Sequence, residues 1–238
     1  MNRPIVEVGD TVHRASTVQI ERGLRALGIA MMALLVTYPF FGAGTPRQVV
    51  MNFFMTIVFV SAIFAVSERR RDQLIAVGLA VPWFILTWME VFRPEPTLWS
   101  TWASGGFTIA FLSWTLLLVL DFVLRAERVT TGVMWGAVAI YMLLGALWFS
   151  VFVMLERLQP GSFHDMAVRG GSAAEWSDLL YFSFVTLTTL GFGDIVPATL
   201  PARHFTVAAA VSGVLYLPIV LSRLVAASRF GAPSGPDS

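Results

Sequence analysis

The sequence predicts an all-α membrane protein with six transmembrane helices, plus a short re-entrant helix and a glycine-bearing loop between the fifth and sixth. Three observations lead there. Of 238 residues, 56% are hydrophobic and 13% charged, about half the roughly 25% charge of a soluble domain. Uncharged apolar stretches recur along the whole chain. The polar segment between the last two stretches contains a half-length apolar helix followed by Gly-Phe-Gly-Asp.

This composition excludes an ordinary soluble enzyme and a disordered chain. The net charge of +1 offers no electrostatic footprint for nucleic acid. Cysteine is absent, so no disulfide framework, thiolate nucleophile or cysteine-held metal is available. The apolar stretches are Ala26–Pro46, Gln48–Ser67, Gln73–Met89, Pro96–Leu120, Val129–Leu155 and Phe205–Ser222, of 17 to 27 residues each. Each can cross a hydrocarbon core about 30 Å thick as a helix. Continuous apolar runs argue against barrel strands, which alternate over about ten residues. The first run begins too far in, and too many follow it, for a secretory signal.

All sixteen basic residues are arginine. With the N-terminus placed in the cytoplasm, eleven of them fall on the inner side, Arg69–Arg71 among them. Five fall outside: Arg47, Arg93, Arg157, Arg169 and Arg203. That is the direction of the positive-inside rule, and it places both termini in the cytoplasm. Residues 1–23 read as a cytoplasmic N-terminal segment with a short interfacial helix. Residues 229–238 read as a disordered tail. The compact chain, with no evident soluble module, points to a prokaryotic inner membrane.

Arg157–Ala174 reads as an exposed polar loop. Beyond it, Ser177 or Asp178 can cap a helix to about Thr188, too short to cross the membrane and so re-entrant. Thr189–Gly193 does not continue that helix. Bare backbone at membrane depth is tolerated only where protein shields it or a water-filled path runs beside it. Glycine at 191 and 193 permits positive φ, so successive carbonyls can turn to one side as ligands for a weakly hydrated cation. A large monovalent cation needs about eight oxygens, which four symmetric chains supply at two each, so this reading implies a homotetramer.

Thr186-Leu-Thr-Thr-Leu-Gly-Phe-Gly-Asp194, after a capped amphiphilic helix and between two spans, resembles the selectivity filter of the potassium channel family, which the six-span layout also resembles. The resemblance implies a channel and not an enzyme. Potassium is its permeant ion and it has no cofactor; membrane lipids and three further copies of the chain are its partners. Residues 24–128 become a sensor-like four-helix domain, and 129–228 a pore domain with pore helix 177–188, filter 189–193 and inner helix 203–226. Carried over position by position, Thr189, Leu190, Gly191 and Phe192 hold K+ and Gly193 completes the outer mouth. Asp194 bonds Tyr181 behind the filter, where voltage-gated relatives usually have an indole. Thr188 and Val185 back the filter, Val185 standing where some two-span relatives place a glutamate. Glu156 resembles the acidic residue that ends the fifth span in six-span channels. Gly213 and Pro218 stand where relatives bend their inner helix, although both residues are common in membrane helices for packing alone.

Two departures from the family pattern bear on function. Pro96–Leu120 contains no basic residue, whereas a voltage-sensing fourth span needs three or four. Each such charge contributes about 2.3 kcal/mol per 100 mV, so little intrinsic voltage dependence is expected. Phe192 replaces the common tyrosine and cannot make the hydroxyl bond that braces the filter, a bond of about 1 kcal/mol net.

Two other functions fit the sequence less well. A sodium-conducting or nonselective channel of the same architecture would usually carry acidic side chains in its filter, and Thr186–Gly193 has none. An intramembrane hydrolase would need a serine in a glycine-flanked motif, faintly present at Ala103-Ser104-Gly105-Gly106, and a histidine deep in a later span. His13, His164 and His204 all lie outside mid-span positions. Restoring the hydroxyl in Phe192→Tyr is expected to slow inactivation of the current; an unchanged rate and unchanged selectivity would count against a looser filter.

Overall fold

The computed structural model describes residues 6–37, 52–53, 55–58, 60–62, 70–92, 98–166, 172–173 and 176–230. Helices α1 (Val6–Thr37), α2 (Arg70–Phe92), α3 (Leu98–Arg125), α4 (Thr131–Leu158), α5 (Trp176–Leu187) and α6 (Leu200–Phe230) follow in chain order. A small antiparallel sheet of β1 (Phe163–Asp165), β2 (Ser172–Ala173) and β3 (Ile195–Pro197) has the order β2-β1-β3.

Four described helices are long and apolar enough to cross a membrane: Arg71–Met89, Trp99–Arg125, Thr131–Leu158 and Leu200–Ala226. They occupy the third to sixth expected spans, and the chain is an integral membrane protein. The first expected span is described to Thr37. Of the second, only helical residues between 52 and 62 are described. The remainder of both, and 231–238 of the expected tail, lie outside the described residues.

Several boundaries differ from the sequence reading. The N-terminal segment is not a separate short helix, because α1 runs unbroken for 32 residues into the first span. Gly23 is the single weak helix former around its expected break, and one glycine costs only about 1 kcal/mol. The stretch after α4 is not simply an exposed loop. It turns tightly into β1, with Ser162 just before the strand and Phe163 at its start buried at 1% and 0% exposure. Strands of two and three residues are too short for any alternation to announce them. Helix α5 starts at Trp176, so Ser177 and Asp178 stand in its first turn. There an acid faces the positive end of the helix dipole. Helix α6 begins at Leu200 and runs through Phe230, so positions 229 and 230 are helical.

Helix α4 is the hub, packing on α1, α3, α5 and α6. Its start is fixed twice. Thr130 is the N-cap and its side chain accepts from the Val133 amide at 3.3 Å, while Glu21 of α1 accepts from the Gly132 amide at 3.3 Å. Gly132 and Gly136 are close-approach positions, since a Cβ would meet Glu21 at the first and Val123 of α3 at the second. The other end of α4 closes on a ring cluster: Phe152, Phe163 of β1 and Phe182 of α5 have centroids 5.2 to 5.4 Å apart.

Helix α5 is only 12 residues long, about 18 Å at 1.5 Å per residue and short of the hydrocarbon thickness. Two glycines seat it. A Cβ on Gly145 of α4 would fall 2.4 Å from the Phe184 ring, and one on Gly213 of α6 would fall 2.0 Å from the Leu187 carbonyl oxygen. The second seat is backbone on backbone and has no side chain that could give way. Gly213→Ala is therefore expected to destabilise the protein by about 1–3 kcal/mol, the usual cost of overpacking. Thermal unfolding of the purified protein would show it as a lowered midpoint; an unchanged midpoint would disprove the seat.

Candidate functional site

The candidate residues converge where α5 ends. The Thr188 amide makes the last helical bond, to Phe184 O at 2.9 Å. The chain then leaves the helix through a paired bond: Thr189 N donates to Thr186 O at 3.0 Å and Leu190 N to Val185 O at 2.9 Å. These are the 5→2 and 6→1 bonds of a Schellman motif, whose closing residue sits in the left-handed region and is usually glycine. Here it is Thr189, with φ +59°. A β-branched side chain in that region is a true outlier and costs about 1–3 kcal/mol, the sort of strain that gathers at functional sites. Thr188 Oγ1 folds back onto Phe184 O at 2.7 Å and Val185 O at 3.3 Å. Gly191 N also points to Val185 O, at 3.4 Å.

Positive φ then recurs at every second residue: Thr189 (+59°), Gly191 (+57°) and Gly193 (+78°), with Leu190 and Phe192 between them outside that region. Leu190 and Phe192 are 57% and 65% exposed in the single chain. From Thr186 to Gly193 no side chain is charged.

Asp194 closes the loop. Its Oδ2 accepts from Tyr181 Oη at 2.7 Å and its Oδ1 from the Ile195 amide at 3.0 Å. Partial desolvation of the half-exposed phenol first, and then the hydrogen bond and charge of Asp194, push the Tyr181 hydroxyl up to about 12, so it stays protonated and donating near neutral pH. The Asp194 carbonyl accepts from the Met166 amide at 2.6 Å. From there β3 runs along β1, pairing Phe163 with Pro197, His164 with Val196 and Asp165 with Ile195. Ala198 N donates to Ser162 O at 2.8 Å.

Glu156 stands one strand away. Its Oε1 accepts from the Gly161 amide at 2.6 Å and its Oε2 from the Phe163 amide at 2.9 Å, so it holds the turn into β1 and, through β1, the strand that follows Asp194. The structure thus brings Tyr181, Val185, Thr188 and Thr189–Asp194 together, with Glu156 reaching them only through the sheet. Gly213 and Pro218 are both in α6. Gly213 lies against Leu187, at the root of the loop, and Trp148 Nε1 donates to its neighbour Ser212 Oγ at 2.9 Å. The helix is continuous through Pro218.

Sequence reading missed two contributors, Phe163 and Gly145, and the backbone conformation of a third residue that it had named. Thr189 carries the first positive φ, which its residue type argues against. Phe163 anchors β1 in the ring cluster, and Gly145 seats α5. Only the glycine left a trace, as one small residue in an apolar helix, and that is too common to single out.

Removing one bond should test the closure. Tyr181→Phe is expected to cost about 1 kcal/mol, below the usual range for a bond to a charged acceptor because Tyr181 is 39% exposed and solvent screens it. Hydrogen exchange at the Ile195 amide should speed up with it. Unchanged exchange and melting would show that the bond holds nothing in place.

A family model described as ion channel matches residues 128–229, which contain α4, the sheet, α5, the loop and α6. Among curated proteins, the chain is 38% identical over 61 residues to potassium channel protein kcv of Paramecium bursaria Chlorella virus 1, covering 25% of this chain and 65% of the viral one. It is 41% identical over 66 residues to two pore potassium channel c of Oryza sativa subsp. japonica, 28% of this chain and 14% of that protein. It is 33% identical over 86 residues to the A-type voltage-gated potassium channel KCND3 of Rattus norvegicus, 33% of this chain and 13% of that one. The chain therefore spans under two thirds of the viral protein and under a fifth of the other two. No solved structure matches it significantly. The segment that runs from α4 to α6 thus matches the ion channel family model and is similar to parts of several potassium channels.

Proposed function

We propose that the chain is the subunit of a homotetrameric potassium-selective channel, conducting passively along the shared axis and catalysing no reaction. The observation that carries this reading is the alternation of φ from Thr189 to Gly193. Backbone that alternates between left- and right-handed regions turns successive peptide planes the same way, gathering N–H groups on one side and carbonyls on the other. The carbonyls of Thr189, Leu190, Gly191 and Phe192 then form one row. Four rows around an axis replace the hydration shell of a potassium ion. Gly193 completes the mouth.

Other features support the same arrangement. A lone chain leaves Leu190 and Phe192 more than half exposed, as expected of surfaces that neighbouring copies cover. The strained Thr189 offers its hydroxyl as well as its carbonyl at the inner end of the row. Tyr181, Asp194, Val185 and Thr188 act as supports behind it, and Glu156 steadies the turn above. In this reading α5 is the re-entrant pore helix, α6 the inner helix, and the N- and C-termini are cytoplasmic. Gly213 acts as a seat for the pore helix, which leaves Pro218 as the candidate bending point.

Voltage has little to act on. Helix α3 carries one basic residue, Arg125, in its last turn, and that residue is paired with Asp121 at 2.6 Å on an exposed surface. In purified protein reconstituted into liposomes under opposed potassium and sodium gradients, the current should reverse near the potassium equilibrium potential. Reversal near zero or at the sodium potential would overturn selectivity in favour of a nonselective or sodium-conducting channel. The same recordings should show conductance nearly flat with voltage; a steep relation worth several charges, in the absence of blocking ions, would refute that part.

A further inference from the structure

A cavity of about 120 Å³ opens among α2, α3, α4 and the helical residues near 52. An enclosed space of about 150 Å³ holds benzene, so this one has room for about five heavy atoms. Helix α3 lines it from Thr101, one turn in from its start at Leu98, to Thr108. Helix α4 lines it from Phe149 to Arg157 in its last turn. Trp99 and Trp102, both exposed, flank Thr101, and exposed tryptophans near a helix end mark the headgroup level of a bilayer. The cavity runs inward from that level.

The polar groups of the wall divide into committed and uncommitted ones. Ser150 and Thr108 donate to carbonyls of their own helices, at 2.9 and 2.7 Å, and Ser104 and Arg157 have partners of their own. Thr101 has none among the described residues, although it is only 6% exposed. The Thr87 hydroxyl of α2 and the side-chain amide of Asn52 are likewise uncommitted and line the same space. All three groups are neutral, and each can both donate and accept. No acidic side chain is among the described residues of the wall. Buried polar groups left unpaired are destabilising, so this set selects a neutral occupant that also donates and accepts. A hydroxyl does both, whereas a ketone or an ether only accepts. Helix α4 adds Phe149, Val153 and Met154, an apolar wall that favours an alkyl group over water.

We propose that this cavity binds a neutral short-chain alcohol, one hydroxyl on an alkyl tail of about four carbons. The hydroxyl accepts from Thr101 or Thr87 and donates to Oδ1 of Asn52, while the tail lies against Phe149, Val153 and Met154. Seated there, it joins α2, α3 and the residues near 52 to the last turns of α4. The site is independent of what the chain conducts, and binding alone reads it out.

The test uses the full-length protein in detergent, irradiated with the photoreactive probe 3-azibutanol and digested for mass spectrometry. Adducts should saturate with probe concentration and fall on the cavity-lining residues of α2, α3 and α4. 1-Butanol should displace them, and n-pentane, of the same heavy-atom count but without the hydroxyl, should not. Thr101→Val and Thr87→Val, each close to isosteric, should weaken the apparent affinity about fivefold, as expected for one lost hydrogen bond. Cooperative melting of each variant checks that it is folded. Labelling that never saturates, or that falls as heavily on exposed α6 positions such as Val207 and Leu217, would overturn the proposal and leave the space to water. So would pentane competing as well as butanol, or wild-type affinity in both variants.

Discussion

The carbonyl of Val185 accepts the amides of Leu190 and Gly191, and the rest of the segment from α5 to β3 is arranged around that junction. It is the point at which the chain stops satisfying its own backbone as a helix. In a bilayer no water is at hand to take over the released groups, so the protein has to supply the replacement. It does so by doubling bonds onto the last helical turn and by forcing a threonine into a conformation that glycine normally takes. Such a turn is stable only if the helix before it cannot move. Glycines at 145 and 213 let two long helices close on α5 from either side; larger residues there would hold them apart.

The far side of the loop is held by different means. Asp194 binds backward to Tyr181 and sideways to the amides of Ile195 and Met166, and the sheet ties the following strand to β1. Glu156 fixes the start of β1 through two amides, and Phe163 buries its ring between α4 and α5. The loop is therefore clamped at both ends by neutral or singly charged bonds, and its own stretch is uncharged. With phenylalanine at 192 there is no hydroxyl brace from within the loop, which leaves the sheet as the main tie on its outer end.

Much of this was readable from residue order. Continuous apolar runs marked the four long membrane helices, because a helix in lipid must be apolar over its whole length. Thr186–Asp194 disclosed the loop, because glycines at alternate positions have few other uses at membrane depth, and the same segment pointed to the Tyr181 and Asp194 pairing through its resemblance to a known filter. What could not be read depends on contacts between distant residues. Nothing in Phe163-His-Asp announces a strand, since its partners come from Ile195–Pro197 thirty residues later. Gly213 looked like a hinge because a glycine in a helix is locally ambiguous; only the carbonyl of Leu187 pressed against it shows that the position is filled. The join of the N-terminal segment to the first span escaped notice because charge marked a boundary there that the backbone ignores.

Helix α6 is tied differently above and below its proline. Above it, Gly213 and Ser212 fasten α6 to α5 and α4, and Tyr216 Oη donates to the carbonyl of Ala137. Below it, Arg223 donates to the carbonyl of Leu124 at the end of α3. The upper segment is thus part of a rigid block with the loop, and Pro218, which has no amide to donate and leaves a carbonyl one turn earlier unpaired, separates that block from a lower arm. Swinging the lower arm would tug on α3 while leaving the Thr189–Gly193 loop undisturbed.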